Sequence, residues 1–353
     1  MSQVGFGIIG GGMIGPYHAS AIQMIPEAKL VAVATSQEDT ARRFAEKVQA
    51  PFWYAEYREL LKRDDIQIVN ICTPPYLHEE MVCQAAEKGK HVLVEKPMAI
   101  TLSQADAMIQ ACERSEVKMG VIFQYRFSRA AQEVKKAITD FHLGKLFLSD
   151  VYVKWFRDQK YYESASWRGL WLKEGGGAMI NQAIHAIDLL QWFLGPVEWV
   201  KGVCGTVSHQ IEVEDLGLAL LRFKSGAMGV IEGSTAIYPG FPQKIELHGE
   251  KGSIILEGDQ ITFWKLRDFP QPINFSSATE KLDTSSSPTA GFSSEYHYHQ
   301  IQEFIGAVKE NRSPLVDGVE GRKSLEIVRA IYLSSKIGES IYFPVRDEKE
   351  ETL

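Results

Sequence analysis

This chain lacks most of what would mark an exported, membrane-bound or nucleic-acid-binding protein. Only four cysteines occur in 353 residues, Cys72, Cys83, Cys112 and Cys204. They are far apart and without CxxC spacing, so neither a disulfide framework nor a thiolate metal site is predicted, and reduced thiols of a cytoplasmic protein are. No apolar run approaches the ~20 residues that cross a bilayer. The first residues read as a strand, without the basic flank and apolar stretch of a secretion leader. Blocks of Lys and Arg are missing and the formal charge is -7, which argues against a nucleic-acid partner. What is present, 45% apolar and 24% charged residues, is the composition of a soluble globular protein. The length suits two hydrophobic cores better than one.

Through the first third, short apolar segments alternate with helical periodicity, the pattern of a parallel sheet covered on both faces. Strands are predicted at Val4–Ile9, Leu30–Thr35, Phe52–Tyr54, Ile66–Cys72, His91–Val94 and Lys118–Phe123. The alternation stops at Gln124-Tyr125-Arg126-Phe127, which predicts domains of 1–125 and 126–353. Beyond it, Leu146–Phe156, Glu198–Val207, Glu214–Phe223, Ala227–Ala236 and Gln243–His248 alternate apolar and polar side chains as antiparallel strands do. A helix is predicted from Ala178 to Leu194, two more at Tyr296–Lys309 and Gly318–Ile337, and a surface loop over Ser276–Ser294. The fold class is α/β: an N-terminal doubly wound parallel sheet, then an α+β domain with a large open, mainly antiparallel sheet.

Gly10-Gly11-Gly12-Met13-Ile14-Gly15 satisfies GxGxxG between a strand and a helix. The first glycine suits a tight turn, Gly12 a close backbone approach to a pyrophosphate, and Gly15 close helix-on-strand packing. Gly10, Gly12, Met13 and Ile14 are therefore candidate cofactor contacts. The second strand ends Ala34-Thr35-Ser36-Gln37, without the acid that commonly holds a free ribose 2′-hydroxyl. Thr35 and Ser36 suit a 2′-phosphate, with Arg42 or Arg43 in support, whereas Glu38 and Asp39 are late substitutes for the acid. The cofactor expectation is NAD or NADP.

Glu95-Lys96-Pro97 follows an apolar strand. An ammonium at a strand end beside a nicotinamide site can polarise a hydroxyl or carbonyl where a hydride moves; alone, the tripeptide reads equally as a solvated surface lysine. Downstream of Gly175-Gly176-Gly177, the spacing of Asn181, His185 and Asp188 places an amide, an imidazole and a carboxylate on one helical face. His185 suits a general base, Asn181 a substrate-orienting amide and Asp188 a group that fixes the imidazole; the structural alternative is a buried histidine satisfied by Asp188. Tyr161, Tyr162, Trp167, Arg168 and Trp171 cluster ahead of the glycine run. Aromatic faces with polar tips suit a sugar ring, and Arg157 and Arg168 suit a carboxylate or phosphate.

Taken together, the Gly-rich turn, Thr73-Pro74 with His78, Glu95-Lys96-Pro97, Arg126 and Gly176-Gly177 leading to His185 and Asp188 resemble the Gfo/Idh/MocA oxidoreductases. The likeness extends to His299–Phe304 and Pro314–Gly318 and covers nearly the whole chain. It implies an N-terminal Rossmann domain and a C-terminal domain whose open sheet often forms an oligomer interface, hence a dimer or tetramer. The implied activity is hydride transfer between nicotinamide and a secondary alcohol or ketone of a sugar, sugar derivative or cyclitol. Lys96 would be the catalytic lysine and His185 the acid/base. Thr73, Pro74, His78, Glu95 and Gln124 would line the cofactor, and Arg126, Tyr161, Trp167, Arg168 and Asn181 the substrate. Asn181 departs from the aspartate of many relatives; an amide holds a hydroxyl but cannot take its proton. The resemblance also admits redox-assisted glycoside cleavage with tightly bound NAD, and a dinucleotide-binding sensor. No metal site is predicted.

Overall fold

The structure is a computed structural model that describes residues 3–268 and 294–345. The predicted loop therefore lies outside the described residues, save Ser294. In chain order the first strands and helices are β1 (Val4–Ile9), α1 (Gly15–Met24), β2 (Ala28–Ala34), α2 (Glu38–Val48), β3 (Phe52–Tyr54), α3 (Tyr57–Leu61), β4 (Ile68–Ile71), α4 (His78–Glu87), β5 (His91–Val94), α5 (Leu102–Arg114) and β6 (Met119–Val121). There follow α6 (Arg129–Thr139), β7 (Leu146–Lys154), α7 (Gln159–Glu163), α8 (Trp171–Glu174), α9 (Ile184–Leu194), β8 (Val197–Gly205), β9 (Leu216–Phe223), β10 (Met228–Ser234), β11 (Lys244–Gly249), β12 (Gly252–Glu257) and β13 (Gln260–Leu266). The last are α10 (Ser294–Lys309), α11 (Gly318–Ile337) and β14 (Ile341–Tyr342).

The chain divides into two compact units, one holding residues 3–124 with 294–322 and the other 125–268 with 323–345. The sequence reading assigned all of 126–353 to the second domain; α10 and its sequel belong with the first. The reason is an exposed edge and an open helix face. In the first unit six strands run in the order β3-β2-β1-β4-β5-β6, all parallel, the order of dinucleotide-binding sheets. Strand β6 lies at one end, with backbone groups that need partners. Gln300 on α10 accepts from Phe123 N–H at 3.1 Å and donates to the Val121 carbonyl at 2.7 Å. Val121 N–H bonds the Val316 carbonyl at 3.0 Å. Ile301, Phe304 and Ile305 of α10 then close the core formed by Phe6, Ile8, Ile22, Val33 and Leu93.

In the second unit eight strands run β13-β12-β11-β7-β10-β9-β8-β14. Every pair is antiparallel except β7 with β10. The short strands β12, β13 and β14 escaped the sequence reading. Helix α9, buried along nearly its whole length, covers one face of the sheet. A π-helical segment, Ala178–Ala183, precedes it, so the predicted regular helix from Ala178 is corrected. Met179 of that segment sits against the paired Gly217 and Gly233; a Cβ at either would come within 2.6 or 2.5 Å of its side chain. The sheet there has no side chains of its own, which lets the wide turn lie on it.

In the first unit Gly10 has φ +108°, and a Cβ there would stand 2.5 Å from the Cys72 carbonyl oxygen. Gly10→Ala therefore loses at least about 2 kcal/mol of stability. Urea unfolding monitored by circular dichroism checks it; an unchanged midpoint refutes the reading of this turn.

Candidate active site

The two halves of the predicted site belong to different units, each with its own geometry. In the first, the glycine turn leads into α1, whose Ile14 N-cap makes no side-chain hydrogen bond. The first-turn N–H groups thus have no side-chain cap, as an anion-binding helix start requires. A Cβ at Gly12 would meet nothing within 4 Å, whereas one at Gly15 would lie 2.5 Å from the Gly10 carbonyl oxygen. Gly15 is needed for packing, and Gly12 leaves its outer side open. These features fit a dinucleotide. At the end of β2 the Thr35 hydroxyl bonds the Gln37 carbonyl at 3.0 Å and the Thr40 hydroxyl at 2.6 Å. Glu38 and Asp39 open α2, and Arg42 pairs with Asp39 at 3.4 Å on the surface.

Below Lys96 lies a polar cluster that the sequence reading missed. Asn70 on β4 donates to His18 Nδ1 at 2.8 Å, so the ring proton sits on Nε2 and is given to Glu95 Oε1 at 2.8 Å. Glu95 Oε2 accepts the backbone N–H of Lys96 at 3.1 Å. His297 Nε2 of α10 stands 3.7 Å from Glu95 Oε1, its ring edge-on to His18 at 5.0 Å. His18 and His297 are fully buried and Glu95 nearly so. Burial alone would raise the Glu95 acid, but the bonds and charges of His18 and His297 outweigh it and hold the carboxyl well below its ordinary value. Burial pushes His18 down, against the pull of Glu95. The short His18–Glu95 contact is thus filled by a proton held between ring and carboxylate. His78 braces the same turn from the other side: Nδ1 faces the carbonyls of Pro97 (3.0 Å) and Met98 (3.3 Å), and Nε2 that of Thr73 (2.9 Å). Burial lowers its pKa, so one ring N–H donates at a time. Lys96 is half-buried, Pro74 precedes the short 3-10 turn into α4, and the Thr73 hydroxyl faces Met81 Sδ at 3.4 Å. Gln124 closes the first unit, 4% exposed.

In the second unit Asn181, His185 and Asp188 each have partners on other elements. Asp188 takes both arms of Arg126, each at 2.7 Å, with the Ser324 hydroxyl at 2.8 Å. Both members of the ion pair are buried. Arg126, expected on the substrate, is engaged in this pair. His185, 5% exposed, meets Tyr125 edge-on at 5.1 Å. Asn181 Nδ2 donates to Glu174 in a short contact, and Glu174 also accepts from Gly169 N–H at 2.5 Å. Asn181 lies in the π turn, where the 3.6 residues per turn behind the predicted i, i+4, i+7 face do not hold. Tyr161 gathers Arg168 in a short contact and Gln182 Nε2 at 3.1 Å. Arg168 also stacks on Trp167 at 4.5 Å. Glu214 anchors the segment, accepting from Gly177 N–H, Met179 N–H and the Tyr332 hydroxyl, each at 2.8 Å.

A doubly wound sheet with a glycine-rich first turn, joined to a mixed open sheet, defines a two-domain nucleotide-dependent oxidoreductase. Residues 4–123 match the GFO_IDH_MocA oxidoreductase family, described by its NAD-binding Rossmann fold, and residues 131–255 match the GFO/IDH/MocA C-terminal domain. The chain belongs to this family. It is 29% identical over 352 residues to myo-inositol 2-dehydrogenase of Thermotoga maritima, covering 94% of this chain and 99% of that protein. It is 30% identical over 294 residues to levoglucosan dehydrogenase of Pseudarthrobacter phenanthrenivorans, covering 72% and 74%. Among solved structures, the WlbA dehydrogenase of Bordetella pertussis in complex with NADH and UDP-GlcNAcA superposes with a TM-score of 0.86 at 32% identity, covering 98% of this chain and 100% of that one.

Two measurements probe these clusters. His18→Leu strips a donor from a buried carboxylate and lowers unfolding free energy by about 3 kcal/mol; adding Glu95→Gln, which removes the charge, recovers part of the loss. Strict additivity in urea unfolding would refute the coupling. Burial raises Glu214 to about 7 despite its three donors. A folded pKa above the unfolded one means that its contribution is fully present below about 4.5 and is lost as pH rises through about 7. Stability accordingly falls by roughly 3 kcal/mol over that window, and Glu214→Gln flattens the slope.

Proposed function

We propose that this protein is an NAD-dependent dehydrogenase that oxidises a ring hydroxyl of a sugar, sugar derivative or cyclitol, or reduces the matching ketone. The observation that carries the reading is Lys96, set at the end of β5 and tied through its N–H to a carboxylate kept ionised by buried histidines. Relatives named for inositol and levoglucosan, and a structure bound to NADH and a nucleotide sugar, support the substrate class. A bound nicotinamide supplies the hydride acceptor or donor. Lys96 hydrogen-bonds the reacting oxygen, His185 takes or gives its proton, and Asn181 holds a neighbouring hydroxyl. Because the Asn181 amide is neutral and tied to Glu174, the proton falls to His185 and Lys96. Gly10, Gly12, Met13 and Ile14 cradle the pyrophosphate, with Thr35, Ser36, Thr73, Pro74 and Gln124 along the rest of the cofactor.

The same reading places the enzyme in the cytoplasm as a homo-oligomer. All four cysteines are free thiols, and no described helix is long and apolar enough to cross a membrane. Val203, Leu218, Leu220 and Met228 stand 45–66% exposed on the sheet face away from α9, an apolar patch suited to a second copy.

NADH formation from a panel of myo-inositol, scyllo-inositol, levoglucosan and common sugars tests the activity. With a substrate in hand, Lys96→Met and His185→Ala each lower kcat by roughly 10² to 10⁴. Near-normal turnover in both variants would remove the assigned roles.

A further inference from the structure

Three donors converge on the Tyr161 phenol. Arg168 reaches it with Nη1, Gln182 with Nε2 at 3.1 Å, and Arg157 with its own side-chain bond. The Arg168 guanidinium lies over the Tyr161 ring at 4.2 Å and Trp167 at 4.5 Å; that of Arg157 lies over Tyr161 at 5.5 Å and Trp155 at 5.1 Å. Among the described residues no carboxylate comes within 4.0 Å of the Arg168 guanidinium. Glu174, whose charge is felt at Tyr161, directs its oxygens to the Asn181 amide and the Gly169 N–H rather than to the Arg168 guanidinium. Burial, and then the charge of Arg168 among weaker influences, lowers the Arg157 pKa, while burial raises that of Tyr161 and keeps it a neutral phenol. Two guanidinium groups therefore share one neutral oxygen, and an anion on Arg168 would offset their mutual repulsion.

Unsatisfied atoms mark the place. Arg168 Nε and Gln182 Oε1 are buried with no hydrogen-bond partner among the described residues, and Gln182 is itself 5% exposed. Gln182 follows Asn181 directly in the π turn. A guanidinium edge offers paired N–H groups that match the oxygens of a carboxylate or phosphate, and a lone amide oxygen accepts a hydroxyl. Aromatic stacking holds the Arg168 plane in advance, so little rotamer freedom is lost on binding.

We propose that the substrate carries an anionic substituent, a carboxylate or phosphate, which seats on Arg168 and Arg157 while Gln182 Oε1 accepts a hydroxyl next to it. This rests on the reading of the protein as a dehydrogenase of sugar-like alcohols and narrows it to charged members of that class. Neutral inositols and anhydrosugars would then be poor substrates.

Calorimetric titration of the NADH-loaded protein with D-glucuronate, D-glucose 6-phosphate and D-glucose tests the site. At least one anion binds tenfold or more tighter than glucose, and which of the two does so identifies the group. Arg168→Met abolishes that advantage, bringing the anion's affinity to that of glucose; Arg168→Lys restores part of it. Gln182→Glu, which adds a negative charge without removing volume, weakens the anion by a similar factor and serves should Arg168→Met fail to fold. Equal or undetectable binding of all three sugars by the wild type, or variants that bind the anion as well as the wild type does, overturns the proposal. NADH formation is read separately with NAD-loaded protein. Anion binding without turnover of any sugar keeps this site and removes the dehydrogenase reading. Turnover of neutral sugars alone, indifferent to Arg168→Met, does the reverse.

Discussion

A carboxylate buried at the end of a parallel strand is the constraint around which the first unit is arranged. Glu95 remains ionised only because α1, the turn after β5 and α10 each bring something to it: His18, the Lys96 N–H and His297. An unpartnered charge there would cost several kcal/mol and would take up a proton instead. Satisfying it fixes α1 against α10 and sets the peptide at Lys96. Asn70 continues the chain one strand further and selects the tautomer of His18. The acid that prepares the lysine is thus the one that joins the N-terminal helix to a helix nearly three hundred residues away in sequence.

The second unit solves a comparable problem twice. Arg126 and Asp188 neutralise one another in the interior, with Ser324 on a remaining lone pair, so a charged residue from the start of the unit is locked to α9. Glu214 is held by two backbone N–H groups and the Tyr332 phenol, fixing the entry to the π segment. Asn181 and Gln182, neighbours in that segment, face different partners, Glu174 and Tyr161.

Local periodicity made most of the architecture legible. The six parallel strands and the glycine turn were readable because buried strands give unbroken apolar runs and GxGxxG carries its own steric reasons. Strands β12 to β14 were not, since Ser253-Ile254-Ile255-Leu256 sits beside a turn and Ile341-Tyr342 is too short to show alternation. The partners of Glu95 were hidden for another reason: His18, Asn70 and His297 come from three separate elements, and no spacing along the chain announces that they meet. Asp188 shows the opposite failure. Helical arithmetic put it on a face with His185, but no local pattern announced a bidentate guanidinium from elsewhere in the unit.

The return of residues 294–322 to the first unit bears on how the molecule is made. Synthesis runs from the N-terminus, and the nucleotide-binding sheet is written almost entirely within the first 124 residues. Its edge on β6, the cover over Ile22 and Leu93 and the second histidine beside Glu95 arrive only with α10. The nascent sheet must wait, incomplete, while β7 to β13 of the other sheet leave the ribosome. Neither unit is a severable stretch of chain, so a break between β13 and α10 would leave the first domain one helix short.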